Sequence, residues 1–367
     1  MKMYPVLEPV IGEREKKYVA DCMETGWISS WGKYIGKFET AFGRFLGVKH
    51  ALSTSNGTVS LHLIMLALGI GSGDEVIVPD FTYVASANAV RYVGGRPVFV
   101  DCDPETFTMD PANIEEKITP RTRAIMAVHI YGNPCRMDEI MRIARSRRIP
   151  VIEDAAEAHG ALWRGTPVGS LGAANSFSFF GNKTITTGEG GMVVTNSKKI
   201  ADRVALLKNQ AQPRNRRKYF HPVMGYNYRM INLEAAIGLG QLERIAKLLE
   251  RKRAIHRWYG RYLKPLVERG ALAFQQETPG ARASWWVNAC TFRTKSAPEI
   301  ASRLKAAGVD TRPFFLPMSD LPYLRQVGSF PHARRLARTG LLIPSGANLE
   351  EKDIALISDR IQKVFGK

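Results

Sequence analysis

One lysine of the sequence has a setting that suits covalent chemistry with an aldehyde. Lys183 follows the apolar stretch 176–180 and precedes a turn that contains Gly188, Gly190 and Gly191. A lysine amine that is partly shielded from water can form an imine with an aldehyde cofactor, and glycines allow the backbone to pass close to a ligand. A single lysine is usually a surface charge, but the apolar residues before it and the glycines after it argue against a solvated position.

Two carboxylates lie upstream, at the end of another apolar stretch. Asp154 ends the run 151–154, and Glu157 lies three residues further on. A carboxylate that pairs with a protonated pyridine nitrogen makes the ring a better electron sink, and Glu157, one helical turn away, would reach the same ring. From the pattern alone, Asp154 could equally be the N-cap of a helix. The alternative for Glu157 is an ordinary acidic residue at the surface.

Two further segments have residue types that suit a planar, phosphorylated ligand. The turn 53–58, which contains Gly57 and Thr58, precedes a predicted helix, and backbone amides at a helix start can hold phosphate together with a hydroxyl. Tyr83 follows the next predicted strand, where its ring would stack on a cofactor. An ordinary capping turn and core packing are the alternatives, but the convergence of these segments on successive strand ends favours one site.

These segments belong to an alternation of predicted strands and helices from residue 50 to about residue 155. Such an alternation predicts an α/β fold with a mostly parallel sheet covered on both faces, and ligands bind at the carboxyl ends of its strands. The predicted strands of this alternation are short apolar runs at 50–53, 75–79, 97–100, 124–128 and 150–153, and two further strands are predicted at 175–179 and 191–195. The predicted helices between them are 58–68, 82–92 and 137–147.

Helices and strands at the two ends of the chain complete the predicted fold. Two short helices are expected between residues 12 and 45, and one long helix is expected over 233–263, where apolar residues recur at helical spacing. The C-terminal part is expected to hold a strand at 286–292, helices at 297–307 and 350–365, and a proline-rich stretch at 312–322. We therefore expect a large domain over 1–245 and a small C-terminal α+β domain over 246–367.

The composition is that of an ordinary globular protein, with 45% hydrophobic and 23% charged residues among 367. The four cysteines are scattered without a CxxC pair, so we expect no disulfide framework, no metal site and a cytoplasmic location.

The net charge of +18 suits polyanionic ligands, either a nucleotide diphosphate or nucleic acid. A basic regulatory or nucleic-acid-binding protein is thus an alternative, although the basic clusters 142–148, 214–218 and 251–253 match no nucleic-acid-binding motif.

The sequence resembles the DegT/DnrJ/StrS-type nucleotide-sugar aminotransferases over nearly its full length. The motifs that carry the resemblance are Gly26-Trp-Ile-Ser-Ser30, Ser55-Asn-Gly-Thr58, Glu153-Asp-Ala-Ala-Glu157, Gly181-Asn-Lys-Thr184 and Tyr226-Asn-Tyr-Arg-Met230. The resemblance implies the aspartate-aminotransferase fold (PLP fold type I) and pyridoxal 5'-phosphate (PLP), or its amine form PMP, as the cofactor. The strings 178–186 and 312–315 resemble members that transfer an amino group from L-glutamate to the 4-keto carbon of a GDP-linked 4-keto-6-deoxy sugar.

The resemblance also implies roles for individual residues. Lys183 would hold the cofactor covalently and then shuttle the proton, Asp154 would bind the pyridine nitrogen, and Glu157 would bind the ring hydroxyl. Tyr83 would stack on the ring. The cofactor phosphate would be held by Gly57, Thr58, Ser178 and, from the neighbouring subunit of a homodimer with shared sites, Asn227. The sugar nucleotide would be contacted by Trp27, Ser29, Ser30, Trp31, Arg312 and Phe314.

The identity of the substrate is the part that the motifs define least. Ser319 stands where many relatives have a histidine shortly after a proline, so the motifs define recognition of the sugar less closely than they define the PLP chemistry. Amination at C3 or C4 of a UDP- or dTDP-linked keto sugar is the alternative within the family. The family's dehydratases have a histidine in place of the lysine, so Lys183 argues against dehydration.

Overall fold

The computed structural model describes residues 2–213, 217, 219–293 and 296–365. Of the basic segment 214–218 only Arg217 lies within these ranges, so the expectation for that segment falls outside the described residues. The helices in the described ranges are α1 (Glu13–Thr25), α2 (Lys33–Leu46), α3 (Gly57–Leu68), α4 (Ala85–Tyr92), α5 (Met137–Ser146), α6 (Lys198–Leu207), α7 (Asn232–Leu242), α8 (Ile245–Tyr262), α9 (Lys264–Glu268), α10 (Ala297–Ala306), α11 (Pro331–Thr339) and α12 (Glu351–Val364). Among them, none has both the length and the apolarity that a membrane crossing requires.

The strands form one large sheet and two smaller ones. They are β1 (His50–Thr54), β2 (Glu75–Pro79), β3 (Arg96–Val100), β4 (Thr122–Val128), β5 (Val151–Asp154), β6 (Leu162–Trp163), β7 (Thr166–Pro167), β8 (Ala174–Ser178), β9 (Gly191–Thr195), β10 (Leu272–Phe274), β11 (Ala281–Arg282), β12 (Asn288–Phe292), β13 (Arg312–Pro313) and β14 (Gly340–Ile343). The large sheet has the order β1-β9-β8-β5-β4-β2-β3. Neighbours from β8 to β3 pair in parallel, whereas β9 is antiparallel to β1 and to β8. The predicted α/β fold with a mostly parallel sheet is confirmed.

Helices cover both faces of the large sheet, and the alternation of side chains along each strand divides the core in two. In β4, Ala124 and Met126 belong to one apolar cluster, while Ile125 and Ala127 belong to the other. The first cluster includes residues of α3, α4 and α6, and the second includes residues of α2, α5 and α7. Burial on both faces accounts for strands such as β2 and β8, which are buried along their whole length.

The parallel pairing brings several strand ends to one edge of the sheet. β5 ends at Asp154, β8 ends at Ser178, and β1 leads at the same edge into the start of α3 at Gly57. This edge is where ligands bind in open α/β sheets.

A second, antiparallel sheet of order β10-β12-β14-β13 forms the C-terminal layer. Its core contains residues of α8, α10 and α12, together with Tyr4 from the N-terminus. Helix α8 contributes Leu248 and Leu249 to the core of the large sheet and Ile255 and Tyr259 to the core of the small one. The division into 1–245 and 246–367 stays a prediction; α8 connects the two cores.

The prediction of one continuous helix over 233–263 is wrong. The segment forms two helices, α7 and α8, that are separated at Glu243 and Arg244. Arg244 has a non-helical ψ of 12° and forms an ion pair of 2.9 Å with the buried Glu15. The pairing with the N-terminal segment, which lies far away in the sequence, therefore interrupts a stretch whose local periodicity favours a single helix.

Candidate active site

A cavity of about 690 Å³ opens at the carboxyl edge of the large sheet. Its walls come from both sheets, because residues of β13 and β14 face those that follow β1, β5 and β8. Eight of the residues singled out from the sequence line it: Gly57, Thr58, Tyr83, Asp154, Glu157, Ser178, Lys183 and Arg312. A volume of this size suits a cofactor or a small ligand.

The amine of Lys183 is held inside this cavity. Its side chain is only 12% exposed. The Nζ atom lies 3.6 Å from Oε1 of Glu157 and 4.1 Å from the ring centroid of Trp286. The tight turn after β8, in which the Lys183 amide donates to the Phe180 carbonyl at 2.9 Å, presents the residue at this position. The amine thus lies between a carboxylate and the face of an indole ring.

The two predicted carboxylates are buried and have defined partners. Asp154 accepts hydrogen bonds from Oγ of Ser86 at 2.8 Å and from the Ala156 amide at 3.2 Å. Glu157 accepts one from the Tyr131 amide at 2.7 Å. Burial raises the pKa of Asp154, and its hydrogen bonds and Lys183 only partly offset this. Burial likewise raises the pKa of Glu157, against the effect of the Lys183 ammonium. A positively charged ring atom of a ligand bound in the cavity would stabilise the ionised form of either carboxylate.

The start of α3 provides donors for an anion. The Asn56 side chain caps the helix by accepting a hydrogen bond of 3.0 Å from the Val59 amide. The amides of Gly57 and Thr58 precede the first residue that can bond within the helix, and they are available to a ligand. Ser178 lies directly beside this helix start: a Cβ atom built on Gly57 would come within 2.8 Å of the Ser178 Cβ. Two amides and a hydroxyl therefore converge as a phosphate site requires.

Aromatic side chains also line the cavity. The Tyr83 ring lies 5.6 Å from that of Phe315, measured between centroids, and both residues line the cavity. Phe314 is buried and is not among the residues that line the cavity, so its contact with the sugar nucleotide stays a prediction. Phe314 packs against Gly340, which has no side chain to exclude it, and its ring centroid lies 5.3 Å from that of Tyr131. The adjacent Phe315 lines the cavity.

The remaining predicted residues lie elsewhere on the chain. Ser30 and Trp31 line a separate cleft of about 1080 Å³ with Arg229 and Lys208. The side chains of Trp27 and Trp31 are 57% and 65% exposed. Outside the lysine cavity are Trp27, Ser29, Ser30, Trp31 and Asn227.

Ser319 is also outside the cavity. Its amide and its hydroxyl donate to the two carboxylate oxygens of Asp80, at 2.7 and 3.0 Å, and the residue is 2% exposed. Ser319 therefore fixes the loop after β13 to the end of β2. Its hydroxyl is engaged by Asp80.

Sequence reasoning missed three residues that shape the site: Trp286, Tyr131 and Ser86. Trp286 covers the lysine amine, the Tyr131 amide binds Glu157, and Ser86 binds Asp154. Trp286 lies more than 100 residues from Lys183 in the sequence, and its indole donates to the Asn182 carbonyl at 2.7 Å. The only local signal was the unusual Trp285-Trp286 pair at the start of a predicted strand.

Comparisons with known proteins agree with this site. The DegT/DnrJ/EryC1/StrS aminotransferase family model matches residues 9–362. The chain is 44% identical over 366 residues to the GDP-perosamine synthase of Escherichia coli O157:H7, covering 100% of this chain and 99% of the relative. It is 45% identical over 364 residues to the GDP-perosamine synthase of Caulobacter vibrioides, covering 98% of both chains.

Solved structures confirm the fold. The chain superposes on DesV of S. venezuelae, solved in complex with a ketimine intermediate, with a TM-score of 0.91, 30% identity and full coverage of both chains. It superposes on 3-amino-5-hydroxybenzoic acid synthase with a TM-score of 0.93, 27% identity and full coverage of both. The implied aspartate-aminotransferase-like fold is therefore confirmed.

The residues of the cavity fit PLP, the cofactor of this family. The primary amine suits an aldehyde, a buried carboxylate suits a pyridinium nitrogen, and the helix start with Ser178 suits a phosphate. The residues that would hold it here are the predicted ones that line the cavity, which do not include Asn227, with Trp286 in addition. Since the family model spans nearly the whole chain, the protein belongs to the DegT/DnrJ/EryC1/StrS aminotransferase family.

Proposed function

We propose that the protein is a PLP-dependent transaminase that moves the amino group of L-glutamate to the 4-keto carbon of a GDP-linked 4-keto-6-deoxy sugar. The observation that carries the proposal is the enclosure of the Lys183 amine, 3.6 Å from Glu157, in one cavity with Asp154 and the start of α3. The substrate follows from the relatives: three GDP-perosamine synthases are 42–45% identical. A dTDP-amino-sugar transaminase is 34% identical over 90% of this chain.

The side chains of the cavity divide the chemistry among them. When bound, PLP supplies an aldehyde that exchanges amino groups and a ring that accepts electrons from the neighbouring carbon. Lys183 would hold the cofactor, and its Nζ atom would move a proton to and from the substrate carbon. Asp154, held by Ser86, keeps the ring nitrogen protonated. Glu157, held by the Tyr131 amide, orients the ring hydroxyl and the amine together.

We extend the proposal to a homodimer with shared active sites. The residues expected at the substrate and at the cofactor phosphate, but lying outside the cavity of their own chain, would reach the cavity of the partner subunit. Their surroundings support this arrangement, because large apolar side chains are exposed there: Trp27, Trp31, Tyr219 and Met224 are 57%, 65%, 83% and 76% exposed. An apolar surface of this kind favours association.

A cytoplasmic location belongs to the same proposal. The four cysteines are free and buried, as expected in a reducing compartment. Both substrates of the proposed reaction are small charged metabolites, which is consistent with this location.

The experiment that tests the function is a substrate panel with the purified protein and L-glutamate. GDP-, UDP- and dTDP-linked keto sugars are offered in parallel, and the products are identified by mass and NMR. We expect the 4-amino product from the GDP sugar, and a loss of turnover of roughly 10²–10⁴-fold or more in Lys183→Ala, because the amine that transfers the proton is removed. Lys198→Ala, an exposed lysine paired with Asp202, is the control.

Two results would contradict the proposal. Turnover by Lys183→Ala at the level of Lys198→Ala would exclude the assigned lysine. Efficient amination of a dTDP- or UDP-linked sugar in preference to the GDP-linked one would support the transaminase activity but contradict the proposed substrate.

A further inference from the structure

Helix α8 carries two ionisable side chains that the proposed reaction does not use, one buried and one half-buried. Lys252 and His256 are one helical turn apart and share a face of the helix. Both contact the segment 284–288, which joins β11 to β12 and contains the indole that covers the lysine amine.

The ammonium group of Lys252 holds two backbone carbonyls. Its Nζ atom donates to the Trp286 carbonyl at 3.0 Å and to the Ser345 carbonyl at 2.6 Å, and the residue is 3% exposed. Within the described part of the chain no carboxylate forms an ion pair with it. Burial lowers the pKa of Lys252 to about 7. An apolar side chain would fill this space without the cost of burying an amine, so the contribution of the lysine is the pair of hydrogen bonds.

His256 holds the same segment at a second point. Its ring stacks on that of Trp285, with centroids 3.6 Å apart and planes 7° from parallel, and its Nδ1 donates to Oδ1 of Asn288 at 2.9 Å. Trp285 has a φ of 52°, a conformation that is unfavourable for a residue with a bulky side chain. The segment therefore needs these contacts to keep its path.

The path of the segment decides where the Trp286 indole lies. The indole Nε1 donates to the Asn182 carbonyl at 2.7 Å, and the ring centroid is 4.1 Å from Nζ of Lys183. A shift of the Trp286 backbone would move the ring away from the amine, which is otherwise in contact only with Glu157 among the described charged groups.

We propose that Lys252 is a positioning residue: by fixing the Trp286 carbonyl it sets the indole over the Lys183 amine and keeps that amine beside Glu157. The inference rests on the proposed function only in taking Lys183 as the reactive lysine. Its consequence is that Lys252 controls the reactivity of the Lys183 amine even when no cofactor is bound.

The test is a double-mutant cycle on the cofactor-free protein. Trace acetic anhydride acetylates Lys183, and peptide mass spectrometry gives the rate in wild type, Lys252→Met, Trp286→Leu and the double variant. If Lys252 acts through the indole, Lys252→Met should accelerate labelling about three- to tenfold more in the wild-type background than in Trp286→Leu. This factor corresponds to the loss of one cation–π contact. Any direct effect of the Lys252 charge on the labelling rate of Lys183 is the same in both backgrounds. It therefore cancels when the two rate ratios are compared.

Lys247→Met is the matched control, because Lys247 is an exposed lysine on the same helix, and it should leave the rate unchanged in both backgrounds. Equal effects of Lys252→Met in the two backgrounds would overturn the proposal, even if the variant were less stable. Circular dichroism checks folding, and if Lys252→Met does not fold, His256→Leu takes its place in the cycle. Failure of the proposed function is visible separately, as a wild-type protein that gives no adduct at Lys183 with PLP and borohydride.

Discussion

At the scale of single residues, the buried carboxylates differ in what compensates their charge. Burial alone would raise the pKa of Glu75, but hydrogen bonds from Thr119, Arg96 and Arg121 lower it below its ordinary value. Among the described residues, the Asp80 carboxylate accepts hydrogen bonds only from the amide and the hydroxyl of Ser319, and burial raises its pKa to about 6. Burial therefore destabilises the ionised form of Asp80, whereas the ionised form of Glu75 is stabilised by its donors.

We predict that Asp80→Asn stabilises the protein at pH 8. The pKa of Asp80 is about 6 in the fold and about 3.9 in the unfolded chain, so the folded state binds more protons between these values. Stability from this group is present at low pH and is lost as the pH rises through about 6. An asparagine has the same shape and cannot ionise, so the melting temperature should rise by about 2–4 °C at pH 8 and change little at pH 4.

Thermal melts of both proteins across this pH range check the prediction. Asp202→Asn is the control, since Asp202 is exposed and paired with Lys198, and it should show no such pH dependence. A variant that is destabilised equally at both pH values would mean that the charge-assisted bonds from Ser319 outweigh the cost of burial.

How far single residues could be assigned from the sequence depended on whether their partners are local. Asp154 ends a strand, Gly57 begins a helix and Lys183 follows the end of a strand, so the strand order alone brought them together. Trp286 could not be found in this way, because its contact with Lys183 crosses between the two sheets. The burial of Phe314 against Gly340 likewise depends on a pairing of distant segments.

At the scale of elements, the site depends on how closely α3 begins against the end of β8. Gly57 is the first residue of α3, and the space in which its side chain would lie is occupied by Ser178. Close approach of the helix to the strand is what places two free amides and a hydroxyl at one point.

We predict that Gly57→Ala weakens PLP binding about tenfold or more, because the new methyl group pushes the helix start away from Ser178 and loosens the phosphate contacts. Absorbance titration of the cofactor-free protein with PLP measures this. Gly260→Ala is the control: Gly260 lies in α8, and a Cβ atom there would meet nothing within 4 Å. That variant should bind PLP normally and be slightly more stable. Unchanged affinity in Gly57→Ala would show that the helix start does not hold the phosphate.

The existence of the elements was largely predictable, but one junction between them was not. Strand β2 was predicted with its observed ends, because a continuous apolar run bounded by charged residues identifies a buried strand. The break between α7 and α8 was missed, since it is imposed by the ion pair between Arg244 and Glu15. Local periodicity contains no information about such a distant partner.

At the scale of the whole molecule, the chain separates its motifs into two places. One cavity contains the lysine, the carboxylates and the helix start. Another surface carries the exposed Trp27 and Trp31 and the cleft around Arg229. The resemblance placed Asn227 in the neighbouring subunit, but the motifs did not separate Trp27 and Trp31 from the residues of the lysine cavity. A sequence motif shows that a residue is suited to a site, but it does not show where on the folded chain that residue lies.

The proposed dimer predicts that two inactive variants restore each other. In a twofold dimer with shared sites, Lys183→Ala damages the cavity of its own chain, whereas Asn227→Ala damages the cavity of the partner. A mixed dimer therefore contains one intact site and one doubly damaged site, and co-expression with random pairing should return about a quarter of wild-type activity.

Leu356→Glu, at an exposed apolar position on α12, replaces Asn227→Ala in a control mixture and should show simple dilution. If the first mixture is no more active than the mean of its parents, each cavity is completed by its own chain.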